Sequence, residues 1–350
     1  MNTRHVDAIA KAVLYEGYML YPYRPSSVKN QQRFNFGVLY PRSYAEAQLG
    51  SDRWDLQTEC LVVGSGETKV EVKARFLKLI ERSAAQFVDP RVEPGRAPGP
   101  HFLTEVERPW QEATECEVAI PKVSVASLAA KAVELPFDSP AKENVKPVSN
   151  DTGETIGIVT RTQRSVCGTL EVSAVTLRRN LFRLRIRLTN RTLLDLYNEN
   201  VTELMREVAL MSSLVSAHTL LGVEDGELVS LLEPPEEFKQ EAAECENLGV
   251  WPVLVGEPGQ RDTMLASPII LYDYPQIAPE SPGDLFDGAE IDEILTLRIM
   301  TMTDDEKSEM RASDERARKM LERTESLPLE HLAKLHGTLR DLHAVDEKAS

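Results

Sequence analysis

Four cysteines and six histidines are the residues best equipped for redox, nucleophilic or metal chemistry in this chain. Cys60, Cys116, Cys167 and Cys245 lie far apart, with no Cys-x-x-Cys pair. Structural zinc draws its thiolates from closely spaced pairs, so no zinc site is read here. Glu59, Glu115 and Glu244 each directly precede a cysteine, and a neighbouring carboxylate disfavours the reactive thiolate. The thiols therefore read as packing residues. Of His5, His101, His218, His331, His336 and His343, only the pair His336 and His343 shares a helix face, two turns apart. Helical metal ligands prefer i,i+3 or i,i+4, and no His-Glu-x-x-His is present. His218, inside the apolar run Val208 to Val223, reads as a hydrogen-bonded core histidine rather than a general base.

Nucleophile and phosphate motifs are also missing. No Gly-x-Ser-x-Gly occurs, and Gly64-Ser65-Gly66 after the apolar Leu61 to Val63 reads as a hairpin turn. Neither a Walker-type loop nor Gly-x-Gly-x-x-Gly is found. Gly256-Glu257-Pro258-Gly259 carries an acid that repels phosphate and a proline that removes a donor, so it is a turn. Asp273, Glu280, Asp284, Asp287, Glu290, Asp292 and Glu293 are the densest acids. Leu285 and Phe286 interrupt the ligand alternation that a calcium loop requires. No catalytic residue, metal ligand or cofactor is expected.

Charge narrows the partner class. The 350 residues carry 40 Lys+Arg against 56 Asp+Glu, a net charge of −16, which opposes general binding to a phosphate backbone. The N-terminus has no basic-then-apolar signal. Val208 to Val223, the longest uncharged stretch, is 16 residues long and holds three serines, too short and polar for a membrane span. Well-separated free thiols suit a reducing compartment, so the expected location is the cytoplasm.

Two segments have the composition of protein-docking surfaces. Six of the nine tyrosines fall between Tyr15 and Tyr44, interleaved with Arg24, Lys29, Arg33 and Arg42. Tyrosine and arginine dominate interface hot spots, and Pro22 and Pro25 hold the chain extended. Tyr15, Tyr21, Tyr23, Arg24, Arg33 and Arg42 are the candidate contacts. The competing reading packs the rings along a core edge with hydroxyls outward. The second segment, Asp273 to Asp287, holds Pro275, Pro279 and Pro282, which lower the entropy cost of a fixed loop shape. There Glu280 and Asp284 would steer a basic partner, and Leu285 and Phe286 would anchor it. Alternatively, Leu285 and Phe286 fill the protein's own core.

The elements that must position these residues read as an α+β fold. Val6 to Tyr15 suits a helix. Lys69 to Leu79 alternates Val70, Val72, Ala74 and Phe76 with charged neighbours, the period of a half-buried strand. Residues 89–100 and 139–153 are Pro-bearing and polar, and read as loops. In Leu181 to Arg191, Phe182, Leu184, Ile186 and Leu188 oppose Arg183, Arg185 and Arg187. That pattern means an antiparallel strand with a solvated arginine face, in a sandwich or curled sheet. Val201 to Ser213 suits a helix, Asp225-Gly226 a hairpin turn, and Pro234-Pro235 a helix start. Trp251 to Val255 and Pro268 to Tyr272 read as buried strands. Asp287 with Glu290 starts one terminal helix, Thr303 with Glu306 a second reaching Arg323 through a capping box, and Ser326 a third. Three regions result: a β-rich 1–195, a mixed 196–282 and a helical 283–345. Trp54-x3-Thr58-Glu59-Cys60 echoes Trp110-x3-Thr114-Glu115-Cys116; nothing else between them aligns, so coincidence is preferred to duplication.

Three blocks carry a family resemblance. They are AVLYEGYMLYPYR from Ala12 to Arg24, AHTLLGVEDGELVSLLEPPEE from Ala217 to Glu237, and Trp251 to Arg298 with SPIILYDYPQIAPESPGDLFDGAEIDEILTLR. The chain resembles a family of uncharacterised proteins encoded among [NiFe]-hydrogenase genes of aerobic bacteria. The resemblance covers most of the chain and is weakest between residues 85 and 150. It implies an accessory, assembly or maturation role exercised on the hydrogenase or its maturation machinery through protein contacts, and relatives that continue into a further β-rich segment. Two other classes stay open. An enzyme with scattered residues would gather His218, Asp273 and Asp284 in one pocket, and a stable hydrogenase subunit would expose a large apolar patch.

Overall fold

The computed structural model describes residues 3–24, 26–31, 36–48, 51–88, 102–149, 152–153, 155–194, 202–277, 283, 285, 292–313 and 315–328. The architecture is α+β. Its spine is a single strand, β1 (Asp55–Val88), of 34 residues, several times the usual strand length. Such a strand can serve several partners in turn along each of its edges. Along one edge, residues 55–63 pair with β7 (Leu181–Asn190) and residues 69–88 with β2 (Phe102–Ser124). Along the other, residues 62–77 pair with β8 (Val215–Leu228) and residues 81–86 with β5 (Thr155–Gln163). Every pairing is antiparallel. β3 (Val133–Ser139), β4 (Lys142–Ser149), β6 (Val166–Arg178), β9 (Trp251–Leu254) and β10 (Thr263–Ser267) complete one ten-stranded sheet, with main order β3-β6-β7-β1-β8-β10-β9.

The sheet curls around its main core. Val70, Val72 and Phe76 of β1 share one apolar cluster with Leu170 and Val172 of β6, Leu184 and Ile186 of β7, and Leu221 of β8. β3 is three places from β1 in the sheet, yet the rings of Phe76 and Phe137 lie 5.6 Å apart, which only a rolled sheet allows. A short helix, α3 (Val125–Ala130), supplies Val125 and Leu128 to the same core. On the opposite face, α1 (Thr3–Tyr15) lays Val6, Ile9, Ala10 and Val13 over Leu220, Val253, Val255 and Leu265. These four helix positions follow the 3.6-residue period.

The alternation in β7 is as its sequence implies. Phe182, Leu184, Ile186 and Leu188 are buried, whereas Arg185 and Arg187 are exposed and Arg183 is half-buried. Several local expectations are corrected. Gly64-Ser65-Gly66 and Asp225-Gly226 turn no hairpins. Both sit inside continuous strands, where residues 65–68 of β1 bulge opposite the single Asp225 of β8. Thr68 Oγ1 closes the bulge, donating to the Asp225 carbonyl at 2.7 Å and accepting from the Ser65 amide at 3.0 Å. Asp225 takes a φ of +59°, and a Cβ on Gly226 would come within 2.9 Å of the Val63 carbonyl oxygen. Bulges and hairpins ask for the same left-handed backbone, so local sequence does not separate them.

The polar stretch 139–153 is mostly strand, because β4 pairs along β5. All eight of its residues are exposed, which left no buried face to signal it. Pro268 to Tyr272 is not a buried strand. The ladder ends at Ser267, and Pro268 has no amide to extend it. Ile269 and Leu271 pack under α1 while Ile270 and Tyr272 face outward. Val201 to Ser213 is helical as α4 (Thr202–Met211). After Pro235 come one 3-10 turn and the short α5 (Lys239–Ala243).

Chain contacts divide the molecule into two units, Met1–Glu16 with Phe34–Pro275, and Gly17–Arg33 with Gln276–Ser350. The sheet, α1, α3, α4, α5 and the short α2 (Arg42–Ala47) belong to the first. The second holds α6 (Asp292–Met300), α7 (Asp304–Ser313) and α8 (Glu315–Glu325). The Thr303–Glu306 capping box forms in both directions, at 2.9 and 3.3 Å. The expected single helix from there to Arg323 is instead a helical hairpin, since Lys307 and Arg311 both pair with Glu325 at 3.2 and 2.6 Å. Segment 17–33 lies on these helices. Arg298 and Arg316 cover the rings of Tyr21 and Tyr18, and Asn30 ties the Leu20 backbone through both its amide groups. The Asp287 helix start, the loop 89–100 and the helix beyond Pro328 fall outside the described residues. Among the described residues, no helix is long and apolar enough to cross a membrane.

Candidate functional site

A recess of about 280 Å³ opens in the first unit between α1 and strands β1 and β2. Asp7, Ala10, Lys11 and Leu14 supply one wall. Their i, i+3, i+4, i+7 spacing places them on one helix face beside the stripe that packs on the sheet. Glu115 and Glu117 alternate along β2, and Arg75 comes from β1. The Arg75 guanidinium holds the walls together, donating from Nε to Glu117 at 2.7 Å and from Nη2 to Asp7 at 2.8 Å. Tyr15, at the end of α1, donates its hydroxyl to Glu115 at 2.8 Å. Lys11 is exposed and has no ion-pair partner among the described residues. Charge-assisted bonds fix the frame, and one cation is left over.

His218 lies one strand further in, directly opposite Arg75 in the β1–β8 ladder. It is wholly buried, its Nδ1 bonds the Ser216 carbonyl at 2.9 Å, and its Nε2 has no partner. Burial first, then the Arg75 charge, pulls its pKa down to about 4, against the smaller upward effect of the Ser216 bond. At neutral pH it is an uncharged imidazole inside the protein. Asp273 is engaged elsewhere, accepting from the Leu254 amide at 2.7 Å and the Ser230 hydroxyl. The pairing of these two with a pocket is therefore not formed, and Asp284 lies outside the described residues. Among the described residues, no group of three or more His, Cys, Asp and Glu converges on a metal-sized point.

The thiols are held in the protonated form chiefly by burial. Burial pushes Cys245 up to about 11, and raises Cys60 further and Cys116 as well. For Cys116 the preceding glutamate plays no part, because successive side chains of a strand point to opposite faces. Its sulfur packs on the main core while Glu115 faces the recess.

A second charged region covers the outer face of the sheet near β7. Glu59, only 2 % exposed, accepts from Arg185 Nε at 2.7 Å and from the Glu246 amide at 2.9 Å. Asp55 takes both Nε and Nη2 of Arg187. The strap 244–248 runs across Gln57 and Glu59 through backbone and Asn247 bonds. Lys78 is a third buried charge, 1 % exposed, and its ammonium is satisfied by the Ser139 carbonyl and hydroxyl and the Pro140 carbonyl, at 3.1, 3.0 and 2.7 Å.

The docking candidates are distributed unevenly. Tyr15, Tyr23 and Leu285 are buried and present no surface to a partner. Tyr21 is half-buried beneath Arg298, Arg24 pairs with Glu306 at 3.3 Å, and Arg42 is exposed but bound to Glu46. Arg33, Glu280, Asp284 and Phe286 lie outside the described residues. The start of the expected docking loop closes a sheet edge instead. Asp273 takes the outward amide of Leu254, and the Tyr274 amide donates to the Leu254 carbonyl at 2.7 Å. Pro252 has no amide to offer, so β9 is a protected edge. Sequence reasoning passed over Asp7, Lys11, Arg75 and Glu117. The spacing on α1 was the one available cue, and nothing local links it to Arg75.

No family model matches the chain, and no curated protein matches it. One solved structure, the secretin InvG of the Salmonella SPI-1 type III secretion injectisome (residues 176 to its end, open gate state), is 9 % identical over 74 % of this chain and 75 % of that one. Its TM-score of 0.11 carries no argument about fold or function.

Proposed function

We propose that the chain is a cytoplasmic accessory protein for a [NiFe] hydrogenase and acts through protein–protein contacts. The family assignment rests on the three blocks of sequence described above. The observation that best supports a docking role is the exposure of Trp251, Ile270 and Tyr272, at 46, 72 and 87 %. All three fall in the third block, and exposed aromatic and aliphatic side chains are what a partner's hot spot needs. They stand on well-supported backbone: Trp251 opposes Ser267 in the β9–β10 ladder, and Ile269 and Leu271 anchor the neighbouring segment.

A tagged pull-down from a hydrogenase-expressing host tests the reading. The wild-type chain is expected to recover the hydrogenase or a maturation protein. The Ile270→Ser/Tyr272→Ser double variant should lose that recovery while its melting temperature stays nearly unchanged, since exposed substitutions cost under about 0.5 kcal/mol. Reversing Glu280 and Asp284 to lysine tests the loop in the same assay. Recovery at one-to-one stoichiometry through every purification step would make the chain a subunit rather than an accessory. No hydrogenase component recovered by the wild type would sink the proposal.

A further inference from the structure

The recess between α1 and strands β1 and β2 has the makeup of a small-ligand site. Its volume, about 280 Å³, lies at the lower end of ligand pockets, which run from roughly 300 Å³ upward. Its floor is apolar, from the buried Ala10 and Leu14. Charges of both signs surround that floor: Lys11 and Arg75 against Asp7, Glu115 and Glu117.

The pairing among these five groups decides what fits. Asp7 and Glu117 bind Arg75 and fix it in place, using Nη2 and Nε. The Nη1 of Arg75 and the Lys11 ammonium have no acceptor among the described residues, so two donors of positive charge face the opening. A carboxylate is the group they hold best. Across from them, Glu115 and Glu117 stand two residues apart on one face of β2, both exposed. Each carboxylate has about four acceptor positions, so each accepts a further donor beside its bond to Tyr15 or Arg75. An ammonium suits that side. A phosphate or other simple anion meets three carboxylates here, and a simple cation meets Lys11 and Arg75.

We propose that this recess binds a small zwitterion, an α-amino acid with a short apolar side chain. Its carboxylate lies between Lys11 and Arg75, its ammonium against Glu115 and Glu117, and its side chain on Ala10 and Leu14. The frame is pre-formed, because Arg75 and Tyr15 already hold both walls, and pre-formed frames lower the cost of binding. The site is independent of the docking surface, which lies on other residues.

Two-dimensional NMR of the full chain, titrated with L-alanine, L-valine and L-leucine, tests the proposal. At least one of the three should give saturable shifts at the amides of Lys11, Leu14 and Glu117. It should also shift the ring resonances of His218, which sits behind Arg75. The N-acetyl and methyl ester forms each remove one charge and should bind at least about tenfold more weakly, the loss of one charge-assisted bond. Lys11→Gln and Glu115→Gln should each weaken binding by a similar factor with unchanged melting temperature. Absence of saturable shifts with all three amino acids overturns the proposal. So does equal binding of the N-acetyl and ester forms, or undiminished binding by both variants.

Discussion

Two places in the first unit pair arginine with carboxylates, and they do so to different ends. On the outer face of β7, Arg183, Arg185 and Arg187 meet Asp55, Glu59 and Glu244, so the charges cancel. A strap of backbone lies across them, and the surface is flat. At the recess, Arg75 clips α1 to β2, and Lys11, Glu115 and Glu117 surround a hollow. The first arrangement spends its charges on joining strands. The second leaves charges over, in a concave setting, where a ligand can use them. Ion pairing alone marks neither a site nor a structural lock; surplus charge and concavity distinguish them.

The sharpest break of this comparison lies behind the recess, at His218. The folded chain keeps it neutral down to about pH 4, whereas the unfolded chain takes up its proton near 6.5. Between those values the unfolded state binds more protons, so stability is full above about pH 6.5 and falls as the pH drops toward 4. The expected loss is about 3 kcal/mol across that window. Urea titrations at several pH values should show it, and His218→Phe should flatten the slope. An unchanged slope in that variant would assign the acid sensitivity to other groups.

Next in size is the lock beneath the arginine row. Glu59→Ala removes a buried acceptor of Arg185 and of the Glu246 amide, and should cost about 2 kcal/mol because a buried polar group loses its partner. Glu59→Gln keeps an acceptor and should recover part of that loss in the same denaturation assay. The smallest effect is expected from Arg185→Ala. That side chain is half exposed, solvent screens its pair, and the cost should stay below about 1 kcal/mol. If Arg185→Ala proved as harmful as Glu59→Ala, the row would be a buried network and the contrast with the recess would fail.

Which features were readable in advance follows the range of the interaction that makes them. The apolar face of β7 was readable because a strand with one buried face repeats every second residue. The Thr303–Glu306 box was readable because both partners lie within one helical turn. β4 was not, since all of its residues are exposed and its existence depends on the hydrogen-bonding edge of β5. Nor was the fate of Gly64-Ser65-Gly66 and Asp225-Gly226. Each carries the backbone preference of a turn, and only their meeting across two strands makes them one bulge.

The candidate site divides the same way. Sequence alone determined that α1 is amphipathic, that β2 alternates Glu115 and Glu117 with Cys116, and that Arg75 faces away from Phe76, because those facts depend on helical and strand periods. It also placed Trp251, Ile270 and Tyr272 in an apolar run without saying which would face outward. Only tertiary structure decided that Asp7, Arg75 and Glu117 meet, since they lie 68 and 42 residues apart. The same holds for Tyr15, whose hydroxyl reaches Glu115 across 100 residues. Such contacts arise when α1 docks and the sheet rolls, and both motions are driven by apolar burial that has no memory of which charges it will bring together.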